Sequence, residues 1–266
     1  KFGRGAASSK SLPVYWTKNN IYKFTINQAL KRAERILVPS NFVKNEIAKE
    51  NKNLERKITV TYEAADDFAN NHVEPSEGRV KEIYNKFGIR EPFIIYVGNT
   101  YSYKNVQIIL EALPKLDQNI KFVCVSSRNS QLEALIHKAQ SLGLKDRLIT
   151  TGYLSDQDLG ILFSQAVCFV FPSLSEGFGL TGLEAMASGC PVIAAKVSSL
   201  PEVYGEAALY FNPKSDKDLA ENINELLKNK LLRSKMVEKG LKKVREYYWR
   251  DTARQTLSVY KEILGQ

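Results

Sequence analysis

The residue types best suited to chemistry lie in two glycine-containing loops, each of which follows a short apolar run. The first loop spans residues 98–105 and reads GNTYSYKN, with Gly98 at a predicted strand end and Lys104 at the start of the next predicted helix. Glycine permits close approach of the backbone to a ligand, and a lysine at a helix N-terminus adds its charge to the helix dipole. Together these features favour a phosphate, but taken alone the loop fits a tight turn with a solvated lysine better.

The second loop spans residues 172–186 and reads PSLSEGFGLTGLEAM. As one continuous helix it would carry Glu176 and Glu184 as an ordinary solvated stripe. Its three glycines argue against that interpretation, because each costs about 1 kcal/mol relative to alanine inside a helix. We therefore expect a glycine-rich loop that holds Glu176, followed by a helix that begins near Leu180 and carries Glu184 in its first turns. The free backbone N–H groups of that helix would face an anion.

This pair of loops indicates a particular kind of ligand. Carboxylates accept hydrogen bonds from pairs of sugar hydroxyls, and here two carboxylates flank a predicted phosphate cradle. A ligand with hydroxyls on both sides of a diphosphate, which is a nucleotide sugar, matches this pattern. Paired carboxylates also serve in glycoside hydrolysis, but a phosphate cradle has no use there, so hydrolase ranks well below transferase.

The elements that must position these loops are those of an α/β fold. From about residue 92, short apolar runs alternate with helical patterns, which predicts stacked βαβ units and a mostly parallel sheet. The predicted strands are 93–97, 120–125, 147–150, 167–171, 192–194 and 208–210, and the predicted helices are 130–141, 155–164, 180–188 and 216–228. After Leu231 the chain is predicted to be helical to its end, with a break near residues 247–249. Ligands of such sheets bind beyond the carboxyl ends of the strands, where both loops lie.

The first 75 residues are typical of only part of an α/β domain. Helices are predicted near 22–35 and 41–50, and strands at 36–38 and 58–62. The polar stretch from Glu63 to Arg79 offers few apolar residues for a core, and we interpret it as part of a linker that extends to about residue 91.

Composition excludes several classes of protein. The chain has 266 residues, of which 44% are hydrophobic and 25% charged, and its longest apolar runs are strand-sized, so we expect a soluble globular protein. The three cysteines are odd in number and far apart, so we expect no disulfide scaffold, and with only His72 and His137 we expect no metal site. We expect a cytoplasmic location.

The net charge of +9 is concentrated at the front of the chain. Residues 1–60 carry 13 Lys and Arg against 4 Asp and Glu, whereas the remainder carries 25 of each sign. Such a local positive field could attract anionic lipid, a polyphosphate or nucleic acid, or could be a solvated surface. The segment lacks a nucleic-acid-binding motif, so we expect no nucleic-acid partner.

Longer motifs resemble a known family. Residues 171–187 (FPSLSEGFGLTGLEAMA), 189–194 (GCPVIA) and 200–203 (LPEV) resemble the donor half of retaining glycosyltransferases of family 4. The resemblance extends over Tyr96-Val97-Gly98, Lys104-Asn105, Gly152, residues 154–156, Ala207-Ala208 and Tyr248-Trp249, and so covers about residues 35–264. It implies the GT-B architecture, in which two Rossmann-like domains face each other across a cleft.

The resemblance also implies roles for individual residues. Lys104 would neutralise the donor diphosphate, Glu176 would contact hydroxyls of the donor sugar, and Glu184 would contact the ribose. Lys104 and Glu176 are the candidate catalytic residues. The full candidate donor-binding set is Gly98, Asn99, Lys104, Arg128, Glu176, Gly177, Phe178, Gly179, Leu180 and Glu184. Asn99 stands where many relatives have an arginine. No metal and no cofactor is implied, and the nucleotide sugar is a substrate, with GDP-mannose as the first expectation and a UDP-sugar as the second.

We divide the chain on this basis into a partial acceptor-side domain (1–75), a nucleotide-sugar-binding domain (92–246) and a terminal helix (247–266) that crosses back to the first domain. The expected acceptor is a glycan or a lipid-linked molecule. Basic residues within 1–60 would dock on an anionic membrane at its inner face, and the candidates are Lys31, Arg32, Arg35, Lys44 and Lys49. The family's usual first-domain histidine has no counterpart, because His72 falls in the linker. The alternative is a non-catalytic nucleotide-sugar-binding module or an inactive fragment of such an enzyme.

Overall fold

The computed structural model describes residues 12–65, 68, 75–90 and 92–266, with the backbone alone for residues 12–15. Within these ranges the chain forms a six-stranded sheet and a two-stranded sheet, both parallel. The predicted α/β class, with one large Rossmann-like sheet and a small sheet before it, is confirmed. The strands are β1 Ile36–Val38, β2 Ile58–Val60, β3 Phe93–Val97, β4 Lys121–Val125, β5 Leu148–Thr150, β6 Phe169–Phe171, β7 Val192–Ala195 and β8 Ala208–Phe211.

The order of strands in the large sheet is β5-β4-β3-β6-β7-β8. The chain therefore builds outward from β3 to one edge, returns to the centre at β6 and builds outward to the other edge. The point of reversal lies between β3 and β6, which pair at Ile95 and Phe169. In such sheets the loops at the reversal diverge and leave a crevice for a ligand. The loops that follow β3 and β6 are the two loops identified from the sequence.

The helices lie between these strands and after the last one. They are α1 Leu12–Arg32, α2 Asn41–Glu50, α3 Glu77–Phe87, α4 Gln107–Ala112, α5 Ser130–Ser141, α6 Asp156–Gln165, α7 Leu180–Ala187, α8 Leu200–Tyr204, α9 Asp216–Lys228, α10 Lys230–Val244 and α11 Trp249–Leu264. The predicted start near Leu180 and the predicted break before Trp249 are both present. Short helices α4 and α8 were not predicted, since five or six residues give too few turns for a helical period to show in sequence.

The predicted linker contains a helix. Helix α3 begins after Ser76, whose side chain accepts a hydrogen bond from the Arg79 backbone N–H, and ends at Gly88 with φ of 66°. Its apolar residues are few but fall on one face, where Ile83 is 1% exposed and Tyr84 packs edge-on against Phe93 of β3. This stretch packs on the core of the large sheet because its few apolar residues are spaced so that they lie on one face of the helix.

The large sheet is buried on both faces. Phe93, Ile95 and Phe169 point into one core and Ile94 and Tyr96 into the other, and all five are fully buried. The alternation follows from the two-residue period of a strand. Cys124, Cys168 and Cys190 are buried free thiols in these layers. A sheet covered on both sides holds its carboxyl-end loops on a rigid base.

The first part of the chain packs against the large sheet's region through both apolar and polar contacts. The Tyr62 ring lies 6.1 Å from that of Phe178 and 5.6 Å from that of Tyr247, measured between centroids. The first part's own core is a small cluster of Val38, Leu54 and Ile58. Ser40 donates a hydrogen bond to the Gly177 carbonyl oxygen at 2.6 Å, and Thr252 of α11 donates to the carbonyl oxygen of Tyr62. Among the helices of the described ranges, none is long and apolar enough to cross a membrane.

Candidate functional site

The two candidate loops lie side by side at the reversal point. Leu174 N–H donates to the carbonyl oxygen of Tyr103 at 2.8 Å, which joins the loop after β6 to the loop after β3. Gly98 has φ of 136°, and a Cβ built there would lie 3.1 Å from the Tyr96 hydroxyl. That hydroxyl in turn donates to the carbonyl oxygen of Asn99. Glycine is therefore required at position 98 by the fold of the loop itself.

Lys104 and Glu176, the two candidate catalytic residues, meet in an ion pair. The Lys104 Nζ lies 2.6 Å from the Glu176 Oε1, and the two side chains are only 15% and 14% exposed. The ammonium also lies 5.3 Å from the ring centroid of Tyr103 and 5.7 Å from that of Phe171. A partly buried cation held among aromatic rings and one carboxylate is available to an anionic ligand, and a diphosphate reaching it would compete with Glu176.

Lys104 differs slightly from its predicted position. It ends a short 3-10 turn, Ser102–Lys104, and the following Asn105 adopts a left-handed conformation with φ of 55°. Helix α4 then begins at Gln107, three residues after the lysine. The ammonium is therefore oriented by a turn and not by the first turn of an α-helix.

Helix α7 presents its N-terminus to the same site. Its N-cap is Gly179, which has φ of 109° and no side chain with which to cap the first amides. Helix N-termini leave such amides for water or for an anion, and their dipole favours negative charge. The predicted arrangement, a glycine-rich loop followed by a helix from Leu180, is what the structure contains.

The glycines of this loop are needed for a reason that sequence reasoning missed. A Cβ at Gly179 would lie 2.5 Å from the Tyr204 hydroxyl, and one at Gly182 would lie 2.2 Å from it. Tyr204 is fully buried and donates a hydrogen bond to the Gly179 carbonyl oxygen. Gly179 and Gly182 are therefore needed because the Tyr204 side chain, at the end of α8, packs directly against both of them.

Glu184 lies in the second turn of α7 in a partly buried position. Burial, with the nearby negative charge of Asp156 as a second cause, raises the pKa of the Glu184 carboxyl to about 7. A carboxylate that is costly to desolvate gains most from ligand hydroxyls that donate to it.

Two further members of the predicted set differ in exposure. The Phe178 side chain is 3% exposed and packs against the rings of Tyr62 and Tyr247, so any contact with a donor is left to its backbone. Arg128 follows β4, and its side chain is 90% exposed with Nε 3.2 Å from Glu133. Its donor-binding role stays a prediction. His72 lies outside the described residues. Among the residues that the structure describes, no cluster of three or more His, Cys, Asp or Glu could hold a metal ion.

A cleft of about 730 Å³ opens between the first part of the chain and the candidate loops. Leu30, Phe42 and Ile47 contribute to one wall, and Glu176 and Ser198 contribute to the other. The volume lies within the range of roughly 300–1,000 Å³ typical of small-molecule sites. Glu176, the carboxylate of the ion pair, therefore borders a space large enough for a second substrate.

Of the five basic residues predicted to dock on a membrane, two are engaged within the chain. Arg35 forms an ion pair with Glu262 of α11, and Lys49 lies 3.1 Å from Glu46. Lys31 and Arg32 lie in the last turn of α1, and Lys44 lies on α2.

Comparison with known proteins identifies the family. A family model described as glycosyl transferases group 1 matches residues 80–243, well over half of the chain. O-antigen chain mannosyltransferase B of Escherichia coli is 27% identical over 257 residues, which cover 94% of this chain and 66% of that protein. O-antigen chain mannosyltransferase RfbU of Salmonella typhimurium is 29% identical over 218 residues, which cover 80% of this chain and 58% of that protein. The chain thus spans less than two thirds of the length of either relative.

A solved structure agrees with the fold. Anabaena Alr3699/HepE in complex with UDP and glucose superposes with a TM-score of 0.78 at 17% identity, over 96% of this chain and 69% of that one. At this identity the likeness concerns the fold alone. Together the matches confirm the resemblance and the GT-B type of architecture expected from the sequence.

Proposed function

The chain belongs to the family of glycosyl transferases group 1, and from that premise we propose that it binds a nucleotide sugar and transfers the sugar to an acceptor with retention of configuration. The observation that carries the proposal is the Lys104–Glu176 pair, with Nζ and Oε1 2.6 Å apart, at the point where the strand order of the sheet reverses. The two residues come from loops 72 positions apart in sequence. A cation, a carboxylate and an uncapped helix N-terminus at one crevice suit a ligand that contains both a diphosphate and a sugar.

Lys104 acts on the leaving group in this proposal. The bond between the anomeric carbon and the diphosphate oxygen breaks, and its electron pair stays on the diphosphate. The leaving diphosphate therefore gains negative charge, and a fixed cation stabilises it more in the transition state than in the ground state. The acceptor oxygen bonds to the anomeric carbon on the same face, and its proton passes to the departing phosphate.

The carboxylates recognise hydroxyls on either side of the diphosphate. When the donor binds, the Glu176 carboxylate accepts hydrogen bonds from hydroxyls of the donor sugar in place of part of its ion pair with Lys104. The Glu184 carboxylate accepts hydrogen bonds from the ribose hydroxyls. Gly98, Asn99 and the backbone from Gly177 to Leu180 border the same crevice in this proposal, and Arg128 approaches from the loop after β4.

We propose GDP-mannose as the donor, with a UDP-sugar as the second candidate. Two relatives that are named mannosyltransferases support mannose. A structural neighbour solved with UDP and glucose supports the second candidate. No metal or cofactor takes part in this scheme.

The proposed acceptor is a glycan or a lipid-linked molecule that enters the cleft between the two parts of the chain. The wall from the first part combines Leu30, Phe42 and Ile47 with charged residues that include Lys31, Glu46 and Glu50, and this mixture suits an acceptor with both polar and apolar portions. We further propose that the basic segment 1–60 holds the protein on the inner face of an anionic membrane. Co-sedimentation that is equal with neutral and anionic vesicles at low salt would contradict this peripheral role.

The activity test is a transfer assay in which GDP-mannose, UDP-glucose or UDP-galactose is supplied with glycan and lipid-linked acceptors. The release of nucleoside diphosphate and the formation of sugar-bearing acceptor are followed together. The proposal predicts that one donor gives both nucleoside diphosphate and sugar-bearing product, without added metal. The Lys104–Glu176 pair and the N-terminus of α7 both belong to the region of the large sheet, which favours a second candidate, a donor-binding module. That candidate predicts nucleotide binding with neither transfer nor hydrolysis.

A further inference from the structure

Ser198 adopts a backbone conformation that serine seldom takes. It follows β7 with φ of 52°, and it is one of two non-glycine residues with positive φ in the described part of the chain, the other being Asn105. Left-handed conformations crowd the Cβ of an L-residue, and glycine is the residue that adopts them without this cost. Strain of this kind persists where the surroundings demand it and often marks a functional site.

The strained turn brings two consecutive serines against the backbone of Glu176. The Ser198 Oγ accepts a hydrogen bond from the Glu176 N–H at 3.0 Å. Ser199 is fully buried, and its one hydroxyl hydrogen is shared between the carbonyl oxygens of Glu176 and Phe178, each 3.0 Å from Oγ. The amide and the carbonyl of Glu176 are thus both held by one dipeptide from another loop.

Ser198 and Ser199 differ in what lies around them. Ser199 is shut away from solvent, whereas Ser198 is partly exposed and borders the cleft together with Glu176. A left-handed residue needed only for the turn would be glycine, since glycine takes this conformation without strain. The hydroxyl is therefore the feature that a serine adds at position 198.

We propose that Ser198 is a positioning residue for Glu176. Its hydroxyl fixes the Glu176 amide, and through it the direction of the carboxylate that lies 2.6 Å from Lys104. This inference rests on the role proposed above for Glu176. Ser198 acts through Glu176 and needs no contact with the donor.

Three substitutions separate the hydroxyl from the backbone. Ser198→Gly removes the hydroxyl and relieves the strain, Ser198→Ala removes the hydroxyl and keeps the strain, and Ser198→Asn tolerates the left-handed conformation and retains a side-chain acceptor. If Ser198 is needed only for the turn, the glycine variant should be as active and as stable as wild type. A positioning residue predicts that the glycine variant is as stable as wild type or more stable, and yet slower.

We expect kcat of Ser198→Gly to fall by roughly tenfold to a hundredfold, as when a reacting group is misplaced, with the dissociation constant for nucleoside diphosphate within about twofold of wild type. Ser198→Asn should recover part of the lost rate, and Ser198→Ala should lose both rate and melting temperature. Wild-type kcat in a well-folded Ser198→Gly variant would overturn the inference.

Hydrogen exchange at the Glu176 amide gives a readout that does not depend on turnover. The inference predicts faster exchange in Ser198→Gly than in wild type, because the amide loses its acceptor. Unchanged exchange would overturn the inference even if no donor is found. Absence of transfer by the wild-type chain, with the predicted change in exchange, would count against the proposed function and leave the positioning by Ser198 in place.

Discussion

The two parts of this chain are stabilised in different ways. The large sheet is covered on both faces by extensive apolar clusters, and its central strands are fully buried. The first part has three buried apolar residues in its own cluster, and on α1 it exposes Ile21, Phe24 and Ile26. A region with so small a core depends on its neighbour for order.

A single carboxylate makes several of the polar contacts between the two parts. Glu202 of α8 accepts hydrogen bonds from the Asn41 N–H at 2.7 Å and the Phe42 N–H at 2.8 Å, which are amides at the N-terminus of α2. It also accepts from the Tyr62 hydroxyl at 3.0 Å. One carboxylate of the large sheet's region thus satisfies the helix end of the other region. Substitutions within the sheet region should therefore affect donor binding. Substitutions at the Glu202 contact should affect the docking of the first part and, with it, transfer to the acceptor.

The largest expected effect is that of Lys104→Ala. Transfer should fall by about a hundredfold to a thousandfold, because a main electrostatic stabiliser of the leaving group is lost. The rate of product formation measures the effect, at a temperature well below the melting point of the variant. Lys115→Ala is the matched control, since Lys115 also forms an ion pair, with Asp216, but on the surface. A Lys104→Ala variant with control-like rates would show that the pair has no part in the chemistry.

A second change tests the stability of the loop within the sheet region. Gly182→Ala forces a Cβ to within 2.2 Å of the Tyr204 hydroxyl, so Tyr204 must shift and give up its bond to Gly179. We expect about 1–3 kcal/mol of destabilisation, as for other overpacked cores. Thermal unfolding measures this, with Gly78→Ala as control, because apart from the neighbouring residues and the backbone of its own helix no described atom lies within 4 Å of the new methyl group. Equal melting temperatures for the two variants would contradict the packing described.

A third change tests the contact between the regions. Glu202→Gln weakens the charge-assisted bonds to the α2 amides, at a cost of roughly 1–2 kcal/mol to the docking of the first part. Hydrogen exchange of the Asn41 and Phe42 amides should speed up, while nucleotide binding by the large sheet should change little. Glu206→Gln serves as control, because Glu206 is highly exposed and pairs only with Lys239 among the described residues. Slow exchange in both variants would mean that other contacts hold the first part.

The smallest expected effect is the dependence of nucleotide binding on pH. With a pKa of about 7, Glu184 is mostly protonated at pH 6 and mostly ionised at pH 8. The ionised form accepts hydroxyl donors better, so affinity should rise severalfold across this range. Titration calorimetry at both pH values measures this change, and Glu184→Gln should abolish it. A wild-type affinity that falls with rising pH would contradict the assignment of Glu184.

The Glu184 carboxyl should also make the stability of the protein depend on pH, and here the expected change is a decrease as the pH rises. Its folded pKa lies above the ordinary value of 4.5, so the folded chain holds the proton more tightly than the unfolded chain. Stability is therefore lost as pH rises from about 4.5 through 7, by up to about 3 kcal/mol. Glu184→Gln should be more stable than wild type at pH 8 and similar to it at pH 4. Unfolding in denaturant at the two pH values tests this.

The positions of the two loops were within reach of the sequence. Alternating apolar runs predict a parallel sheet, and glycines and charges just after such runs predict ligand loops at its carboxyl edge. The ion pair between Lys104 and Glu176 was not predicted. It forms because β6 lies beside β3 in the sheet, and the order of strands cannot be deduced from a local sequence pattern.

Residues that support the site were missed for a related reason. Ser199 and Glu202 have the spacing of a capping box, and a local interpretation would pair them across the start of α8. In the structure the Ser199 side chain makes no cap and donates to Glu176 and Phe178, while Glu202 binds the amides of α2. Short polar side chains satisfy distant partners as readily as near ones, so only the tertiary fold decides between them.

The most direct test of the donor site is a calorimetric titration of the wild-type chain and of Lys104→Ala with GDP-mannose, GDP, UDP and ADP, first without metal and then with Mg²⁺. The account predicts that wild type binds one nucleotide selectively without metal, and that Lys104→Ala binds it at least about tenfold more weakly, since a buried cation on a phosphate is worth more than about 1.4 kcal/mol. Binding of no nucleotide by wild type, or equal binding by both proteins, would contradict a diphosphate site at Lys104 and Glu176.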